Sequence, residues 1–142
     1  MPLSKKLLVS ILVIFLANLF GLYYGWYLTI WWYDIPMHIA GGVWIAFLFF
    51  YIFEERNKII VEQSFLAKVL FALGFVALLG VLWEFYEYLS DVFILKQYQF
   101  GGEPRGVLDT LEDLFNDLVG GGLALFLRYG GRVVNKFVDK SY

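Results

Sequence analysis

The chain has no cysteine and a single histidine, His38. The first absence excludes disulfides and thiolate metal sites, and it leaves the redox compartment unread. The second excludes zinc centres built on several imidazoles. Proline is scarce, at three residues, and charged residues make up only 17% of the 142. There is no HExxH or GxSxG signature and no phosphatase-type pairing of arginine with histidine, so no hydrolase motif is present. No internal repeat or low-complexity segment is found. What fills the chain is apolar: 61% hydrophobic, 21% aromatic, with a mean hydropathy of +0.69. Soluble domains are about 45–50% apolar. This composition leaves too little polar surface to cover a water-soluble globule. The length fits one domain, residues 1–142.

Four apolar runs are long enough to be read as membrane spans, at about 20 residues each. The first, Leu7–Ile30, is too long for a signal peptide. It ends in Trp26, Trp31, Trp32 and Tyr33, an aromatic belt of the kind found at a membrane–water interface. The second covers residues 36–53, with Asp34 placed to cap it and Pro36 in its first turn. The third covers 67–89 and the fourth 107–127. Gly130–Gly131 reads as a break, and beyond it the tail 131–142 places Val133, Val134, Phe137 and Val138 on one helical face and Arg132, Lys136 and Lys140 on another. That pattern suits a short helix on an anionic membrane surface. With both termini cytoplasmic, Lys5, Lys6, Arg56, Lys58, Lys68, Arg128, Arg132, Lys136 and Lys140 lie inside, against Lys96 and Arg105 outside. This asymmetry sets the expected orientation. The expected fold is therefore an all-α integral membrane four-helix bundle with cytoplasmic termini and a short C-terminal interfacial helix.

That orientation gathers the acids on the outer side: Asp34, Glu84, Glu87, Asp91, Glu103, Asp109, Glu112, Asp113 and Asp117. Helical spacing of about 100° per residue sharpens the cluster. Asp109, Asp113, Asn116, Gly120 and Ala124 share a narrow stripe. So do Glu84, Glu87 and Asp91, continued by Gly80, and so do Asp34, His38, Gly41 and Gly42. Each stripe is polar near the outside and small below. Small residues let membrane helices approach closely, so Gly41, Gly42, Gly80, Gly120 and Ala124 are read as packing positions. Acids in a first helical turn also suit the helix dipole. That accounts for Asp109 and Glu112 but not for the deeper Asp113, Asn116 and Asp117.

A charge within the bilayer costs at least about 2.5–3.5 kcal/mol on insertion scales. Several carboxylates together must face a shared interior and be neutralised by protons or a cation. A carboxylate-rich pocket with one imidazole suits a divalent metal ion. The expected ligands are His38, Glu84, Asp109 and Asp113, with Asp34, Glu87, Asn116 and Asp117 orienting them or a bound water.

Three segments carry a resemblance: "DIPMHIAGG" (Asp34, His38, Gly42), "WEFYEY" (Glu84, Glu87) and "DTLEDLFNDLVGG" (Asp109, Asp113, Gly120). The ordered set resembles the YjdF-like bacterial membrane proteins and, more remotely, VanZ-like ones. The resemblance implies a multi-pass protein of the bacterial inner membrane and supports this choice of residues; it implies no activity. Two functions then stand side by side. One is a cation-binding protein whose metal supports hydrolysis of a lipid or cell-envelope substrate. The other is a proton or cation relay, or a binding module for cationic small molecules. The expected partner is the lipid bilayer, with a homo-oligomer left open and no nucleic acid.

Overall fold

The computed structural model describes residues 2–90, 92–93 and 104–138, and for 104, 105 and 131–138 the backbone alone. Asp91, Lys96, Glu103 and the side chains of the tail 131–142 lie outside the described residues. Among the described residues there is no strand. The elements are α1 (Leu3–Tyr24), the short α2 (Trp26–Thr29), α3 (Asp34–Phe49) with a π-helical continuation (Phe50–Arg56), α4 (Phe65–Ser90) and α5 (Pro104–Val138). Among the described residues, three helices are long and apolar enough to cross a membrane: Leu3–Tyr24, Asp34–Arg56 and Phe65–Ser90.

Three local readings change. The first apolar run does not continue to Ile30 as one helix. Gly25, at φ 66°, caps α1 in the left-handed conformation and sends its N–H to Gly21 and Leu22 carbonyls. Only glycine adopts that conformation without a Cβ penalty. Asp34 does not cap α3 with its side chain; it is the first helical residue, and the N-cap, Tyr33, makes no side-chain cap. The Asp34 carboxylate reaches instead one turn along to His38, at 3.4 Å. Finally, α5 does not break at Gly130–Gly131 but runs through them to Val138. A helical glycine costs about 1 kcal/mol relative to alanine. Here the turn is anchored by buried Tyr129, whose ring meets Phe50 and Phe65 edge-on at 5.6 and 5.7 Å.

Contacts between helices give their relative directions. Trp44 Nε1 donates to the Leu7 carbonyl and the Tyr33 hydroxyl to that of Ala17, so α1 runs antiparallel to α3. Glycine Gly42 meets Asp117, while Phe50 meets Tyr129 further along, so α3 and α5 run parallel. Gly80 meets Asp117 and Val76 meets Gly121, so α4 opposes α5. The α3–α5 pair is the closest. A Cβ on Gly42 would fall on the Asp117 backbone, and one on Gly120 would fall on the Ile39 carbonyl. No other residue allows that approach. α3 is thus the central helix, with α1, α4 and α5 around it.

Below the acidic end lies an apolar core of Ala46, Phe49, Phe50, Ala72, Val76, Ala124 and Leu125. Its far end is closed by an ionic network. Glu54 accepts from Lys68 Nζ at 3.4 Å, from Arg128 at 3.0 and 3.2 Å, and from the Tyr129 hydroxyl at 2.9 Å. Arg128 also pairs with Glu55 at 3.0 Å. The outward faces of α1 and α4 are apolar, with residues such as Val13, Leu22, Leu70 and Phe85 exposed. A water-soluble monomer rarely exposes apolar surface on this scale; a bilayer covers it.

Candidate functional site

The site forms where the start of α3, the last turns of α4 and the front half of α5 meet. Residues at i and i+4 lie on one helix face, so Asp34 and His38 of α3 point together, as do Asp113 and Asp117 of α5. Glycines Gly41, Gly42 and Gly80 make room for Asp117: its carboxylate lies where a Cβ on Gly80 would sit, and 3.8 Å from such an atom on Gly41. His38, Asp113, Asn116 and Asp117 are all at most 7% exposed. Burial of three acidic or basic groups in contact is rare unless they serve one another or a ligand.

Both nitrogens of His38 face carboxylates. Nε2 lies 3.4 Å from Asp34 Oδ1 and 3.6 Å from Asp113 Oδ1, while Nδ1 lies 3.4 Å from Asp117 Oδ1. One potential ligand atom from each of Asp34, His38 and Asp113 falls within a 4.8 Å group; a second group joins His38 to Glu84 and Glu87. His38 therefore links acids from three helices. Among the described residues, two buried polar atoms at this end have no hydrogen-bond partner within the protein, Glu84 Oε1 and Asn116 Nδ2.

Of the four expected ligands, His38 groups with Asp113 and, in a separate set, with Glu84. Asp109 is exposed and joins neither group; it lies one turn before Asp113, towards the helix start. Of the residues expected to support them, Glu87 reaches His38, while Asp34 and Asp117 touch the imidazole directly. Asp117 was the harder one to weigh from sequence, because it lies off the narrow stripe through Asp109 and Asp113. The usable signal was its i+4 relation to Asp113 together with Gly41, Gly42 and Gly80 on the facing helices. Gly41, Gly42, Gly80, Gly120 and Ala124 all lie inward; Ala124 is fully buried.

Nearby, a cavity of about 530 Å³ extends along α3 between α1 and α4, and reaches Asp34, His38, Glu87 and Asp117. Its polar end also carries the hydrogen bond from the Tyr27 hydroxyl to Asn18, at 2.9 Å.

The chain is similar to an "Uncharacterized protein" of Thermotoga maritima, at 32% identity over 119 residues. The match covers 84% of this chain and 58% of that protein, so the chain spans little more than half the relative's length. No solved structure matches. Neither finding bears on the VanZ-like resemblance. Residues 1–133, almost the whole chain, match the family described as "Predicted membrane protein (DUF2238)", and the chain belongs to that family.

Proposed function

We propose that this protein is a four-span, YjdF-like protein of the bacterial inner membrane, with both termini cytoplasmic, that binds a divalent cation in an outward-facing acidic pocket. The alternating directions of α1, α3, α4 and α5 support four crossings, with α5 shielding its acids against α3 and α4. The observation that carries the cation reading is the arrangement around His38. Its Nε2 lies 3.4 and 3.6 Å from the Asp34 and Asp113 oxygens. Ligand atoms at about 2.1 Å from one tetrahedral ion stand about 3.4 Å apart. On the other side, Asp117 faces Nδ1, the position from which a carboxylate fixes the tautomer of a metal-binding imidazole. Glu84 and Glu87 form a second group of potential ligands on the same imidazole.

An ion held by these residues would supply Lewis-acid activation of water, the chemistry needed to hydrolyse a lipid or cell-envelope substrate. The protein's part is to hold the ion through Asp34, His38 and Asp113 and to orient it through Asp117 and Glu87. A second reading, a binding module for cationic molecules, draws support from the adjoining cavity. A transport relay draws less support. Below the site the interior is filled by Ala46, Val76, Ala124, Phe49 and Phe50, and the Glu54 network closes the far end.

Elemental analysis of chelator-free protein, followed by Mn²⁺ titration monitored by electron paramagnetic resonance, tests the reading. One ion per chain is expected in the wild type, and a loss of binding in His38→Ala and Asp113→Asn. Wild-type protein that binds no divalent ion, or variants that bind as well as wild type, would overturn it.

A further inference from the structure

The cavity beside the site has the polarity and depth of a single lipid. α1 packs chiefly on α3, which leaves a cleft between α1 and α4. Its walls are apolar: Ile11, Ile14 and Phe15 from α1, and Leu79, Leu82 and Trp83 from α4. Of its acids and bases, Asp34, His38 and Glu87 lie towards the start of α3 and Asp117 deeper, beside Gly41, while the stretch beyond to Ile45 is apolar. From Asp34 to Ile45, both of which line it, α3 advances eleven residues, or about 16 Å at 1.5 Å each. Half the hydrocarbon core of a bilayer is about 15 Å. The cleft therefore runs from the end of the helices to the middle of the membrane, polar at the top and apolar below, as one leaflet does. At about 530 Å³ it falls within the range of ligand pockets, about 300–1,000 Å³.

Charge selects the headgroup. The cleft is lined by three acids and one base, and that base, His38, is already faced by carboxylates on both nitrogens. An anionic head meets like charge there; an ammonium finds Asp34 and Glu87, two acids of which neither is buried. We infer that the cleft takes one long-chain amphiphile with a cationic amine head, entering sideways from the bilayer, its chain along α1 and α4 and its ammonium at Asp34 and Glu87. The inference rests on the second reading, a binding module for cationic molecules, and names the class of molecule it takes.

The test uses the full chain in lipid nanodiscs that contain a photoreactive octadecylamine, with a diazirine in mid-chain, or the same chain with a sulfonate head. Labelling is mapped by mass spectrometry. The amine probe is expected to label Ile14, Phe15 and Leu79 about tenfold more than the sulfonate probe does, a factor equivalent to 1.4 kcal/mol. Both probes are expected to label the lipid-facing Val13 and Leu70 alike. Ile14→Trp, which fills the cleft, should abolish the enrichment, and Val13→Trp should not. Equal labelling by the two probes in the wild type, a comparison that needs no variant to fold, would overturn the inference. Mn²⁺ titration of the same discs separates the two readings. If Mn²⁺ binds and the amine is not enriched, the lipid inference falls and the metal reading stands. If the amine is enriched and no Mn²⁺ binds, the inference stands and the metal reading falls. If neither binds, both fall.

Discussion

Gly42→Ala adds one carbon at the closest point of the fold. That carbon would fall on the Asp117 carbonyl oxygen and within 2.8 and 2.9 Å of the Asp117 carbonyl carbon and Cα. These are backbone atoms of a helix and cannot swing aside as a side-chain tip can. Restoring ordinary contact requires α3 and α5 to separate by roughly 1.4 Å. A gap of 0.5–1 Å already forfeits about a quarter to a half of each dispersion contact along the seam, and this one forfeits more. Overpacked cores lose about 1–3 kcal/mol, and a backbone obstacle puts this case at the upper end. Alanine returns about 1 kcal/mol of helix propensity. The net expectation is a loss of about 2 kcal/mol, or roughly 8 °C in melting midpoint for a chain of this size. Gly74→Ala is the matched control, because an added carbon there meets nothing within 4 Å. It keeps the propensity gain alone, and the midpoint should rise by a few degrees. The assay is thermal unfolding in one mild detergent. Equal effects of the two substitutions, or a stabilising Gly42→Ala, would refute the account of how α3 and α5 meet.

Other expectations are simpler to state. Asp117→Asn should weaken metal binding about 10–100-fold without removing a direct ligand, the usual cost of losing the carboxylate that orients a ligating histidine; Mn²⁺ titration reads it. Glu54→Ala leaves Arg128 and Lys68 without their shared partner and should cost about 3 kcal/mol of stability, while Glu62→Gln, on an exposed connection, should leave the melting midpoint unchanged. Reporter fusions after residue 60 should read as cytoplasmic and after residue 100 as external; the reverse result would place the acidic pocket on the cytoplasmic side.

Much of this architecture was legible in the sequence because membrane insertion writes its demands plainly. A run such as Leu7–Tyr24 has few alternatives to a helix in lipid, where every backbone group must be satisfied internally. Stripes of i, i+4 acids above small residues likewise point to the faces that turn inward, and His38 lies in one group with Asp113 and in another with Glu84. What escaped was decided by single contacts. Asp34 was equally suited to cap α3 or to reach His38, and only the buried imidazole one turn on settles it. Asp117 is readable as an orienting residue, but not which nitrogen it serves; Gly80 and Gly41 leave the space in which it faces His38 Nδ1. The end of α5 was misjudged because Gly130–Gly131 reads as a break, whereas Tyr129 packed between Phe50 and Phe65 keeps the turn helical. The Glu54 network joins residues 74 and 75 positions apart, and no local pattern reports such a pairing.

The central claim is that the acids around His38 hold a divalent cation, and its most direct test is a melting series in detergent with Mg²⁺, Ca²⁺, Mn²⁺ and Zn²⁺, each against chelator. An ion at 100 times its dissociation constant stabilises the fold by about 2.7 kcal/mol, so at least one metal should raise the wild-type midpoint by roughly 10 °C, and His38→Ala should lose most of that gain. If no metal moves the wild-type midpoint, or if His38→Ala gains as much as wild type, the claim is contradicted.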